Sequence, residues 1–276
     1  MSTDSLLATM APAERPIFQA ILEEPESEAQ RLVYVHWLEE HGDDRCDFIR
    51  LQLEIARRDA SGEAIDVLRN REAELLAANL GRWNGAVYRR LNQTSLGGTR
   101  VEIRRWLRRW EYRRGFITNL KVTAESFVRH PRLLLELGPI DRVDLTHVNG
   151  WGERLAATPE LRCIRSLALN GADYRVVRLL AKSVFCANLR TLCLASCNIS
   201  RTAARELVRS PYLSNLTQLD VRGVHFQDTS ARDWVLDHFA GQVIPKIGNK
   251  IERHFPNVIG EVNFLCDKSH ASNPTS

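Results

Sequence analysis

Five segments of the form L-x-x-L-x-L recur through the second half of this chain, and no other feature restricts its fold so much. They are Ile117-Thr-Asn-Leu120-Lys-Val122, Ile140-Asp-Arg-Val143-Asp-Leu145, Ile164-Arg-Ser-Leu167-Ala-Leu169, Leu189-Arg-Thr-Leu192-Cys-Leu194 and Leu216-Thr-Gln-Leu219-Asp-Val221, spaced 23, 24, 25 and 27 residues apart. A unit this short cannot bury its own apolar face, so it gains stability only by stacking on its neighbours. The stretches 175–183 and 200–209, which lie between segments, carry apolar residues three and four apart, the helical period. The pattern therefore predicts an α/β chain. Short parallel strands line a concave face, helices form the convex face, and leucines fill the wedge between them.

These spacings resemble those of leucine-rich repeats, and true helices between strands resemble the ribonuclease-inhibitor-like class of that family. The segment LRTLCLASCNIS at 189–200 is its clearest copy, with Cys197 where other classes place asparagine. The corresponding positions are Val148, Ala172 and Val224, so no asparagine ladder is expected. A solenoid needs both ends covered. The helical N-terminal region, with WEYRRGF at 110–116, is expected to cover the first repeat. Residues 241–266 are expected to close the other end, with Val258–Leu265 as a last irregular strand and a frayed tail after 266.

The first half reads as helices. Pro16–Glu24 carries Ile17, Phe18, Ile21 and Leu22 at helical spacing, with Pro16 suited to a first turn. Val33 and Trp37, and Tyr34 and Leu38, give the next helix an apolar face that Gly42 ends. A third helix is predicted through DFIRLQLEIARR, and a fourth from about Glu63 to Leu80, with Ile65, Leu68, Leu75 and Leu76 inward and Gly81 as its stop.

Within this region, Arg31, Leu32, Val33, Tyr34, Trp37, Leu38, Glu39, Glu40, Gly42, Asp43, Phe48, Ile49, Arg50, Leu51 and Gln52 resemble the pattern RLVYADWLEE-GD followed by EFIRLQ. That pattern belongs to the small helical repeat-companion domain found at the start of many bacterial leucine-rich-repeat proteins. The chain departs from it at Val35, His36 and Asp47. The resemblance implies association with repeats and carries no catalytic residue. The expected organisation is a helical companion domain at 1–95, a basic and aromatic connector at 96–116 capping the repeats, about five repeats at 117–240, and a C-terminal cap and tail at 241–276.

Alternation along each strand projects a set of side chains onto the concave face. They are Asn119, Lys121 and Thr123; Arg142, Asp144 and Thr146; Ser166, Ala168 and Asn170; Thr191, Cys193 and Ala195; and Gln218, Asp220 and Arg222. Among them Lys121, Arg142, Asp144, Thr146, Asn170, Thr191, Cys193, Gln218, Asp220 and Arg222 are the candidate contacts to a protein partner. No aromatic is among them, whereas interface hot spots favour Trp, Tyr and Arg.

A second candidate surface is RVEIRRWLRRWEYRRG at 100–115, where basic side chains interleave with aromatics as in polyanion-binding segments. Its candidate contacts are Arg104, Arg105, Arg108, Arg109, Arg113 and Arg114. Ile103, Leu107 and Trp110 also fit one face of a helix, which makes the arginines solvated or docked against the acidic stretch 14–47. That stretch holds ten acids against Arg15, Arg31 and Arg45. Composition weakens the polyanion reading: 33 of the 38 basic residues are arginine, a skew that pervades the chain, and the net charge is only +4.

No metal or cofactor is expected. His36 and His41 are five apart on a helix, so they point about 140° apart by the 3.6-residue period and do not converge with Cys46. Cys193 and Cys197 are expected to diverge, one toward the concave side and one into the wedge. No nucleophile elbow, phosphate-binding loop or HExxH helix occurs. The N-terminus lacks the basic and long apolar regions of a signal peptide, and no run approaches a membrane span. The sequence thus points to a cytoplasmic, non-enzymatic, monomeric interaction or scaffold protein with an unknown protein partner and no membrane. Nucleic-acid binding through 100–114, and an enzyme using the repeats to recognise substrate, are the alternatives. The step from fold to interaction is analogy.

Overall fold

The computed structural model describes residues 5–94, 103 and 107–244. The first four helices are α1 (Glu14–Glu23), α2 (Glu28–Glu40), α3 (Arg45–Ala60) and α4 (Asp66–Leu91). Ser27 caps α2 by accepting a hydrogen bond from the Gln30 amide, and Gly42, at φ +66°, turns the chain out of it. Phe18, Ile21, Tyr34, Val35, Leu38, Ile49 and Leu53 form the core of this region, and Phe116 joins the same cluster from the sheet.

The fourth helix differs from expectation. It runs through Gly81 to Leu91, and its buried residues are Glu72, Trp83, Tyr88 and Leu91, while Leu68, Leu75 and Leu76 are half-buried. A glycine inside a helix costs only ~1 kcal/mol. Packing of Trp83 against Phe48 and burial of Tyr88 and Leu91 beyond it offset that.

A seven-stranded sheet follows. Its strands are β1 (Leu107–Arg113), β2 (Phe116–Thr123), β3 (Arg142–Thr146), β4 (Ser166–Leu169), β5 (Thr191–Cys193), β7 (Gln218–Asp220) and β9 (Val243–Ile244), neighbours in that order. Every pairing is parallel except β1 with β2. Leu120, Val143, Leu167, Leu192 and Leu219 stand side by side, the alignment that the sequence spacing predicts. A second, two-stranded parallel sheet pairs β6 (Asn198–Ile199) with β8 (His225–Phe226).

Helices α5 (Ala124–Arg129), α6 (Pro131–Leu135), α7 (Gly152–Ala156), α8 (Tyr174–Ala181), α9 (Arg201–Arg209) and α10 (Thr229–His238) connect the strands. The longer ones are capped in the same way: Asp173, Ser200 and Asp228 each accept main-chain N–H bonds at a helix start. From α7 to α10 the helices pack each against the next. Their apolar faces, including Val176, Leu180, Ala203 and Leu207, share one core with the strand leucines.

Two backbone features repeat from unit to unit. The carbonyl of Asp141 accepts from the amides of Arg165 and Ser166, that of Arg165 from Arg190 and Thr191, and that of Arg190 from Thr217 and Gln218. Four residues beyond the aligned strand position, His147, Gly171, Ser196 and Gly223 all take φ between +55° and +68°. The chain must make the same sharp exit from each strand to reach the helical layer.

Residues 107–114 depart from the helix that the apolar spacing of 100–114 suggested, whereas Ile103 is helical. Residues 107–113 are strand β1, joined to β2 by the two-residue turn Arg114–Gly115, at φ +48° and +81°. Positive φ at both central residues is the hairpin turn that suits strand twist, and pairing with β1 satisfies the edge of β2. Hence the expected connector contributes a strand to the sheet. At the far end β9 was also missed, because two residues carry no period; Val258–Leu265 lies outside the described residues.

Candidate functional site

Helices cover one face of the sheet, and the other face presents the side chains that alternate with the core leucines. Two rows cross it from strand to strand. One runs Glu111, Asn119, Arg142, Ser166, Thr191, Gln218; the other runs Arg109, Lys121, Asp144, Ala168, Cys193, Asp220. Thr146, Asn170 and Arg222 lie just beyond, at the strand ends. The ten candidate contacts named from sequence therefore share one face of the sheet or its C-terminal rim.

They are not equally accessible. Asp144 is only 4% exposed and Asp220 3%, and Asn119 and Ala168 are buried too. Expecting the whole set to be open to solvent overlooked lateral cover: on a close-packed parallel sheet a short side chain is roofed by longer neighbours. Arg142 Nε lies 3.2 Å from Asp144 Oδ1. Arg222 grips Asp220 with Nε to Oδ1 at 2.9 Å and Nη2 to Oδ2 at 2.6 Å, and its amide donates to Oδ1 at 3.0 Å. Burial acts to raise the Asp220 carboxyl, but these Arg222 hydrogen bonds outweigh it and hold the group below the usual carboxylate range.

Cys193 contacts the same carboxylate, Sγ to Oδ2 at 3.5 Å. Burial, then the negative charge of Asp220, pushes its thiol up to about 12. At neutral pH it is a protonated thiol, not a nucleophile. Cys197 points elsewhere, Sγ to the Leu169 carbonyl at 3.2 Å, inside the core. The two sulfurs diverge as expected, and the described cysteines are free.

At the β1–β2 end, Arg109, Trp110, Glu111, Asn119, Lys121 and Asp144 line a shallow depression. Asn119 Nδ2 donates to Glu111 Oε2 at 3.1 Å. The remaining carbonyl oxygen of Asn119 and Oε1 of Glu111 are buried and accept no hydrogen bond among the described residues. The nearest ion-pair contact to that Glu111 oxygen is Arg109 Nη2, at 3.8 Å. Sequence patterning placed Asn119 on this face but gave no sign of its unbonded acceptor, because Glu111 was read as part of a helix.

Only part of the arginine stripe falls within the described residues. Arg104, Arg105 and the side chain of Arg108 lie outside the described residues. Arg109 lies beside Glu111, Arg113 is exposed at the end of β1, and Arg114 pairs with Glu26 at 2.8 Å. Glu26 also meets Arg165 at 3.4 Å, so the acidic segment after α1 touches both the hairpin and the start of the central strand β4.

His36, His41 and Cys46 do not converge. His36 faces Glu39, His41 stacks on Trp37 with ring centroids 4.1 Å apart, and Cys46 is buried. Among the described residues no group of three or more metal-ligating side chains occurs, and no helix is long and apolar enough to cross a membrane. No family profile, curated protein or solved structure matches this chain.

Proposed function

We propose that this chain is a leucine-rich-repeat solenoid of the ribonuclease-inhibitor-like class, opened by a repeat-companion domain, and that it serves as a cytoplasmic, non-enzymatic protein-interaction module. The repeat reading rests on the strand register, which follows the 23-, 24-, 25- and 27-residue spacing position for position. The functional reading rests on one observation above all: the helix-free face of the sheet ends in buried acceptors, Asn119 Oδ1 and Glu111 Oε1, that accept no hydrogen bond among the described residues, Arg109 standing 3.8 Å from the latter. An unbonded buried acceptor costs ~1–3 kcal/mol. A partner that displaces the side chains covering these acceptors and brings an N–H or ammonium donor to them removes that cost on binding. Lys121 lines the depression, and Arg142 and Thr191 continue a half-buried polar row from it across the sheet.

The test is affinity capture from native cells with the wild-type chain and with Lys121→Glu/Thr191→Trp, both of which alter only the helix-free face. Proteins retained by the wild type and lost by the variant are the expected result. Identical captured sets from the two chains would overturn the assignment to this face.

A further inference from the structure

The opposite, helical side carries a charge asymmetry that the chain totals conceal. Between Tyr174 and Leu219 there are seven cations and one acid, Glu206, in a chain that elsewhere balances its charges. The preference for arginine over lysine does not account for this, because exchanging one base for another removes no acids.

The fold concentrates six of the seven on two neighbouring helices. Helix α8 buries Val176, Val177, Leu180 and Ala181 and leaves Arg175, Arg178 and Lys182 on its exposed side. Helix α9 buries Ala203, Ala204 and Leu207 and leaves Arg201, Arg205 and Arg209 exposed. The two helices pack side by side over a common core, so both rows face outward. Counted from their caps, Asp173 and Ser200, Arg178 matches Arg205 and Lys182 matches Arg209. These four charges make a grid: ~6 Å along each helix for four residues, and ~8–10 Å between helix axes. On α10 the corresponding positions are Asp233 and Asp237, which bound the patch on that side.

Little inside the chain neutralises the grid. Arg178, Arg205 and Arg209 form no ion pair among the described residues. Lys182 pairs with Glu206 at 3.0 Å, but the lysine side chain is 57% exposed, and an exposed pair exchanges readily with solvent or ligand. The nearby rings do not offer stacking platforms. A guanidinium already lies over each: Arg175 over Tyr174 at 5.8 Å, and Arg201 and Arg205 over Trp234 at 6.0 Å. Neither do they protrude as membrane wedges; Tyr174 and Trp234 are 39% and 40% exposed. An array of cations without free aromatic faces suits a ligand that presents regularly spaced anions and needs no base contact.

We propose that the outward face of α8 and α9 binds the phosphodiester backbone of nucleic acid through Arg178, Lys182, Arg205 and Arg209, without reading sequence. This surface is separate from the sheet face assigned to a protein partner, and from the arginines of 100–114.

Fluorescence anisotropy with a labelled 20-base-pair DNA duplex tests it on the full chain, comparing the wild type with Arg178→Gln/Lys182→Gln/Arg205→Gln/Arg209→Gln. Glutamine is a good helix former at exposed positions, and circular dichroism with thermal melting checks that the variant is folded. The wild type should bind with micromolar affinity at ~50 mM salt, equally for two unrelated sequences. Its log–log salt slope should exceed the variant's by about 3–4, at about 0.9 per lost phosphate contact. Arg57→Gln/Arg71→Gln, which removes two exposed cations of α3 and α4, should bind as the wild type does. Undetectable duplex binding, unchanged binding by the folded quadruple variant, or retention only on phosphatidylserine vesicles would each overturn the proposal.

Discussion

Gly115 lies against Ile49: a Cβ built on the glycine would stand 2.1 Å from Ile49 Cγ1 and 2.8 Å from its Cβ. The glycine amide also donates to Gln52 Oε1, one turn further along α3. The β1–β2 turn is therefore clamped onto the third helix at a point where no side chain fits, and φ of +81° there favours glycine independently. This contact and Phe116 beside it tie the helical region to the sheet.

Gly115→Ala should accordingly destabilise the protein by about 2–4 kcal/mol, combining overpacking with a left-handed alanine. A double-mutant cycle with Ile49→Ala isolates the share that comes from the outer part of the Ile49 side chain. In the Ile49→Ala background the cost of Gly115→Ala should fall by about 1 kcal/mol but stay above the backbone share, because Ile49 Cβ and Cα still stand 2.8 and 3.0 Å from the new methyl. Urea unfolding of the four chains measures this, and equal costs in both backgrounds would show that Ile49 is not what the turn packs against.

Leu192 tests the repeat register. It is 3% exposed and sits between Leu167 and Leu219 in the aligned row, whereas Thr191 and Ala195 are half-buried on the uncovered side. Leu192→Ala should cost ~2–5 kcal/mol, the range for a buried leucine, while Thr191→Ala should change stability by less than ~0.5 kcal/mol. Similar losses for both would mean that the strand does not present alternate residues to opposite sides.

The register of these strands was legible because a stacked unit repeats its apolar positions, and five copies average out local noise. Helices α8 and α9 were legible from apolar residues three and four apart, but their caps, Asp173 and Ser200, are seen only in the structure. The stretch around Trp110 was not: Ile103, Leu107 and Trp110 fit a helical face, yet Trp110 and Tyr112 both bond Asn84 of α4 from a strand interrupted by register shifts. Two bulges blur the two-residue period, and the free edge of β2 decided the matter through tertiary pairing that local pattern does not encode. On the candidate face, alternation placed the residues, but burial of Asp144 and Asp220 depends on how Arg142 and Arg222 fold over them. The α8–α9 cations were overlooked because they are spread over 35 residues and converge only when two helices stack.

The repeated left-handed exit offers a way to stabilise the chain. Gly171 and Gly223 occupy it without strain, whereas His147 and Ser196 adopt φ +55° and +57° with side chains. A left-handed residue carrying a Cβ costs ~1–2 kcal/mol, and glycine gives back ~0.5–1 kcal/mol as unfolded-state entropy. Ser196→Gly should therefore raise stability by ~0.5–1 kcal/mol, seen as a higher melting temperature. A loss of stability would mean that the Ser196 side chain contributes contacts outweighing its backbone strain.

Alkaline pH should weaken the fold through its buried thiols. Burial raises Cys186 and Cys193 from an ordinary 9.0 to about 12, and Cys197 to about 11. Above pH 9 the unfolded chain releases these protons while the folded chain retains them. The unfolded state then binds fewer protons, so stability declines as pH rises. The decline should begin near pH 9 and continue to about pH 12, and Cys193→Ser/Cys197→Ala should make it shallower in urea titrations at stepped pH. Thiol labelling gives a parallel readout. Among the described cysteines, exposed Cys163 should react first at pH 8, with Cys186, Cys193 and Cys197 protected until denaturation, when all six thiols of the chain should react. Rapid labelling of Cys193 in the folded protein would show that its sulfur is not held under Asp220 and Arg222, and with it that the packing of the helix-free face is looser than these contacts require.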